Sequence, residues 1–165
     1  MWVMVSFVSI MISKESVEDF FNQYASTMNN ALFGEANDFD AIMNSFADFV
    51  VGANPMGVAG GKNDEQFAKA IREGIDFYKN IGIISMNIIS KEVNILDDFH
   101  AIVKIFWNSF YGNETDSGDI PFEVVYLVQH KNGLNKIFAY VTGDEQAAFR
   151  NYKLIPETAE YGKQD

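Results

Sequence analysis

The chain is 165 residues long, 48% hydrophobic, 15% aromatic and 21% charged, which excludes a disordered, collagen-like or polytopic membrane protein and fits one packed domain. Twelve Lys and Arg against 23 Asp and Glu leave a net charge of −11, a field that repels a phosphate backbone and excludes nucleic acid as a partner. Cysteine is absent, which removes disulfides, thiolate nucleophiles and cysteine-based zinc or iron–sulfur sites together.

Met1 to Ile12 is almost wholly apolar, but Ser13, Lys14 and Glu15 end the run well short of the roughly twenty residues a membrane span requires. The run lacks a basic n-region and a small-residue cleavage site, so the expected compartment is cytoplasmic. Three readings remain for it: an element packed on the domain or on a partner subunit, an extension upstream of a natural start at Met11, or a targeting or lipid-surface segment. The expected division is an apolar extension over 1–15, a single domain over 16–156 and an acidic, solvated tail over 157–165.

From Ser16 the pattern is regular. Val17, Phe20, Phe21, Tyr24 and Met28 recur at spacings of three and four, the signature of one buried helical face, and Ser16 with Asp19 marks a helix start. Phe39, Ile42, Met43, Phe46 and Phe49 predict a second helix, with Asn37 or Asp38 as cap. Gly52 to Lys62 lacks periodicity and predicts a loop with a short strand at its entrance. Asn63 is the expected cap of a third helix that carries Phe67, Ile71, Ile75 and Tyr78 on one face and stops at Gly82.

After Gly82 the period changes to two. Strands are expected over Ile83–Leu96, His100–Tyr111, Ile120–His130 and Asn135–Thr142, joined by Asp97-Asp98, the polar stretch GNETDSGD and the turn Asn132-Gly133. Short connections make the pairing antiparallel, so the fold class is α+β, with helices covering one sheet face. In the strand from His100, Ala101, Val103, Ile105 and Trp107 share one face while Ile102, Phe106 and Phe110 share the other. Both faces call for burial, and a homodimer through the outer face meets that need.

This element order, with the strings QYASTMNN and DFDAIMNSFADFVVGANP and the turn at KNG, resembles the nuclear transport factor 2-like superfamily. That superfamily holds ketosteroid isomerases, SnoaL-like cyclases and scytalone dehydratase. The resemblance covers Ser16 to Pro156 and implies a cystatin-like cone fold, in which a curved antiparallel sheet wraps the N-terminal helices around a pocket and its outer face pairs subunits. Isomerase chemistry in that family needs a tyrosine donor, a carboxylate base and a second acidic donor. The resemblance places the tyrosine at Tyr24, but the base position holds Asn54 and the second donor falls near Tyr126 or Leu127, where there is no acid.

The candidate ligand-binding residues are therefore Tyr24, Asn54, Trp107, Tyr126 and Tyr140, for each of which simple packing or turn geometry is the competing explanation. His100 and His130 read as solvated residues at opposite ends of adjacent strands, and no spacing suits a metal. The acidic loop Asn113 to Asp119 does not follow a calcium pattern, GGK ending at Lys62 fails the phosphate-loop spacing, and no serine-hydrolase elbow occurs. The expected function is binding of a small apolar molecule without metal or cofactor. The alternatives are an isomerase, cyclase or dehydratase in which Tyr24 polarises an oxygen, and a dimeric interaction module whose pocket is filled by its own aromatics. Proton transfer would need Asp48, His100, Glu123 or His130 to reach the cavity.

Overall fold

A computed structural model describes residues 10–33 and 38–157. The elements run α1 (Lys14–Phe33), α2 (Asp38–Asn44), β1 (Phe46–Asn54), β2 (Gly57–Lys62), α3 (Glu65–Asn80), β3 (Ile83–Ile95), β4 (His100–Gly112), β5 (Ser117–Lys131), β6 (Leu134–Thr142) and α4 (Glu145–Asn151). The six strands form one mixed sheet in the order β2-β1-β6-β5-β4-β3.

The α+β class stands, and the four expected strands lie within a residue or three of their predicted bounds. The sheet is larger than expected, because the predicted second helix stops at Asn44 and Phe46 begins a strand. The expected loop Gly52 to Lys62 is the end of β1, a turn at Pro55-Met56 and the exposed strand β2. β1 runs parallel to β6, with Phe46 opposite Ile137 and Gly52 opposite Tyr140. Every other pairing is antiparallel.

Helix starts shift by one or two residues for a local reason. Ser13 and Ser16 exchange reciprocal bonds, each hydroxyl accepting the other's N–H at 3.1 and 3.3 Å, so α1 begins at Lys14. Asp64, not Asn63, caps α3 by accepting from Gln66 N at 3.0 Å and Phe67 N at 3.3 Å. The Asn63 amide is committed elsewhere, donating to Met43 O and tying the end of β2 to the α2–β1 joint. Asn37 lies outside the described residues.

On β4, Ala101, Val103, Ile105, Trp107, Ser109 and Tyr111 are buried beneath the helices while the alternate residues are half-exposed. Val17, Phe21, Tyr24 and Leu32 bring α1 onto this face. Of the apolar N-terminal run, Ile10 and Met11 are exposed, while Ile12 is buried and donates its N–H to Asp98 O at 2.8 Å. Residues 1–9 lie outside the described residues. No helix among the described residues is long and apolar enough to cross a membrane.

Candidate functional site

The inward parity of β4, β5 and β6 meets α1, α3 and α4 incompletely, and a cavity of about 610 Å³ remains between them. Tyr24 and Met28 of α1, Ile71, Gly74, Ile75 and Tyr78 of α3, and Glu145 and Ala148 of α4 close it from the helical side. Trp107, Tyr126 and Tyr140 form part of its sheet wall. Four of the five expected binding residues thus lie together. Asn54 does not: it ends β1, exposed, and its Oδ1 accepts from Met56 N at 2.8 Å, the turn role that Asn before Pro favours.

The aromatic wall is ordered by edge contacts. The Tyr24 ring lies 6.4 Å from Trp107, 6.3 Å from Tyr126 and 6.1 Å from Phe46, each in an edge-on arrangement. Tyr140 covers Gly52 so closely that a Cβ there would stand 2.7 Å from its ring, so a glycine on β1 sets where this hydroxyl sits. Burial, and then the neighbouring Tyr140, push the Tyr24 hydroxyl far above the usual phenol range. Burial followed by Tyr24 does the same to Tyr126, and burial raises Tyr140. These phenols stay protonated at neutral pH and remain donors.

Trp107 Nε1 is enclosed without a hydrogen-bond partner. The indole lies near enough to Tyr126 to draw that hydroxyl's pKa down against burial, but the approach falls short of hydrogen-bond geometry. The atom is sealed from the cavity, so the indole serves as packing in the wall beside Tyr126.

None of the four titratable groups on which proton transfer would depend brings a proton-active side chain into the cavity. Asp48 is exposed on β1. The Glu123 backbone borders the space while its carboxylate turns to the other sheet face and meets Lys104 at 3.0 Å. The histidines correct the sequence reading. The antiparallel register pairs His100 with Gln129, so His100 and His130 share one end of the sheet on opposite faces. His100 pairs with Asp97 at 2.9 Å, whereas His130 is buried, not solvated, and its Nδ1 lies 2.7 Å from Asn135 Oδ1. No group of three or more His, Asp and Glu among the described residues is placed to hold a metal ion.

The proton-active group at the cavity is Glu145, which sequence reading missed. It opens α4, whose cap Asp144 accepts from Ala147 N at 2.9 Å, and Phe149 anchors the helix against Phe77 and Tyr78. Tyr78 donates its hydroxyl to Glu145 Oε1 at 2.6 Å. Burial raises the carboxyl above its ordinary value, and the Tyr78 hydrogen bond partly offsets that. The signal in the sequence was the Gly143-Asp144 cap followed by a short amphipathic run.

A sign follows for stability. A raised carboxyl binds its proton more tightly in the folded state, so its contribution to stability falls as pH rises from the ordinary carboxylate range through the raised value. Glu145→Gln is expected to flatten that decline and Tyr78→Phe to steepen it, read as urea midpoints over a pH series. Identical slopes in all three proteins would show that the carboxyl is not perturbed.

A family model described as NTF2-like protein (DUF6841) matches residues 14–145. No curated protein matches the sequence. Among solved structures, an NTF2-like protein with a cystatin-like fold from Novosphingobium aromaticivorans is 14% identical, with 87% of this chain and 88% of that one covered at a TM-score of 0.59. Aln2 from a Streptomyces species is 15% identical, covering 86% and 99% at 0.61. The β subunit of a benzoate 1,2-dioxygenase from Burkholderia mallei is 13% identical, covering 80% and 90% at 0.59. At these identities the likeness carries the fold.

Proposed function

The chain belongs to the NTF2-like family whose model spans residues 14–145, and from that membership we propose that it binds a small, mostly apolar molecule in the cavity beneath its helices. The observation that carries this reading is the cavity itself: about 610 Å³, walled largely by apolar side chains, with the phenols of Tyr24, Tyr126 and Tyr140 among its lining. Ligand sites begin at roughly 300 Å³, which argues against an interaction module whose pocket is filled by its own aromatics. Tyr24 and Tyr126 would meet a polar group of the ligand; Ile71, Ile75 and Met28 would bury its body.

A second reading has one specific support. Glu145, with its raised pKa and its Tyr78 partner, borders the same cavity as the Tyr24 donor, the pairing of proton carrier and oxygen-polarising group that an isomerase, cyclase or dehydratase requires. A homodimer through the outer sheet face belongs to the proposal, since Ile102, Phe106, Val125 and Leu127 lie half-exposed on that side.

A native mass spectrum tests binding and assembly together. The expected species is a dimer carrying a discrete added mass that denaturation releases. Gly74→Phe places a ring into the cavity from α3, where a Cβ meets nothing within 4 Å, and is expected to abolish the added mass while keeping the helical signal. Added mass retained in that variant would move the ligand elsewhere, and a monomer would overturn the assembly.

A further inference from the structure

The charges at the cavity are of one sign. Its lining includes Glu123, Asp144 and Glu145 but no lysine, arginine or histidine. Two of these acids are already engaged. Glu123 meets Lys104 on the outer face at 3.0 Å, and Asp144 caps α4 and lies 4.0 Å from Arg150. Glu145 has a hydrogen bond from Tyr78 and no cationic partner among the described residues. Its titratable neighbours are Tyr78 from α3, Tyr126 from β5 with Tyr140 of β6 beyond it, and Asp144 on α4 itself, all neutral or acidic. A half-buried carboxyl bordering apolar space without a countercharge is an arrangement that a ligand cation completes.

Resting on the ligand-binding reading above, we infer that the cavity selects cationic amphiphiles: molecules with an apolar body and a protonated amine whose N–H groups reach the Glu145 carboxylate. Three further features favour a cation over a neutral or anionic ligand. Tyr24, Trp107, Tyr126 and Tyr140 surround the space with aromatic rings, whose faces attract ammonium groups. The net charge of −11 draws cations toward the molecule and repels anions. A carboxylate ligand would meet the Glu145 carboxyl with no basic residue in the lining to offset the repulsion. Burial raises the Glu145 carboxyl and an ammonium partner favours its charged form, so amine binding weakens as pH falls and the carboxyl takes up its proton.

Three probes that share one apolar body separate the possibilities: 2-naphthylmethylamine, 2-naphthylmethanol and 2-naphthoate, titrated calorimetrically into the full chain at neutral pH. The amine is expected to bind one site per subunit about tenfold or more tighter than the alcohol, a usual margin for a charge-assisted hydrogen bond, with the carboxylate weakest. Glu145→Gln should bring amine and alcohol to equal affinity, and Gly74→Phe should remove both. An alcohol that binds as well as the amine, or a preference that survives Glu145→Gln, would overturn cation selection while leaving the ligand site standing. Failure of all three probes to bind would overturn the ligand site as well.

Discussion

Truncating Phe21 to alanine is expected to lower the unfolding free energy by about 3–5 kcal/mol, the usual cost of removing a buried aromatic ring. Phe21 is wholly buried, and its ring packs edge-on to Phe20 at 5.1 Å and lies 4.9 Å from Tyr126. It is therefore the contact that seats α1 on the sheet one turn before Tyr24. Because the site depends on that seating, the variant should also weaken any ligand that uses Tyr24. Urea unfolding of the variant checks the first effect, and a loss below about 1 kcal/mol would mean that α1 packs by other contacts.

The second large effect is expected at Asn29, and its cause is polar. The Asn29 side chain donates to Met86 O and accepts from Met86 N, both at 2.8 Å, so an amide from α1 pairs with β3 as a neighbouring strand would. β3 is a sheet edge, and its ladder with β4 shifts register between Ile83 and Ser85, just before this point. Asn29→Leu strands one donor and one acceptor in a part-buried place at a cost of about 2–3 kcal/mol. Asn29→Asp keeps the acceptor for Met86 N and should lose less. Equal stability of the two variants would show that Met86 finds water when the amide is gone.

What could be read from the sequence divides along physical lines. Val17, Phe21 and Tyr24 in α1 and Ile71, Ile75 and Tyr78 in α3 announce their helices because one stripe is buried and the other solvated. Strands β3 to β6 show alternation, and the Asn132-Gly133 turn between β5 and β6 has φ of 54° and 77°, as a two-residue hairpin turn of this kind requires. A strand was expected only at the entrance of Gly52 to Lys62, and the body of β1 was hidden because Phe46 and Phe49 happen to continue the spacing of Ile42 and Met43. β2 was hidden because every residue from Gly57 to Lys62 is exposed, which leaves no alternation to see. A parallel partnership with β6 has no local trace at all. For the site, an aromatic at helical spacing identifies a face but not a cavity, so Tyr24 was legible while Glu145 was not. Its role depends on Tyr78, from a helix far away in the chain.

The parallel pairing of β1 with β6 also orders events during synthesis. The β1–β2 hairpin leaves the ribosome early, yet the strand on its other flank is Leu134–Thr142. Until that strand emerges, Phe46 and Val50 have no β6 wall to pack beside and that flank of the hairpin is open. The bond from Ile137 N to Ser45 O at 2.9 Å, beside the parallel pairing, ties the β1–β2 hairpin to the other four strands.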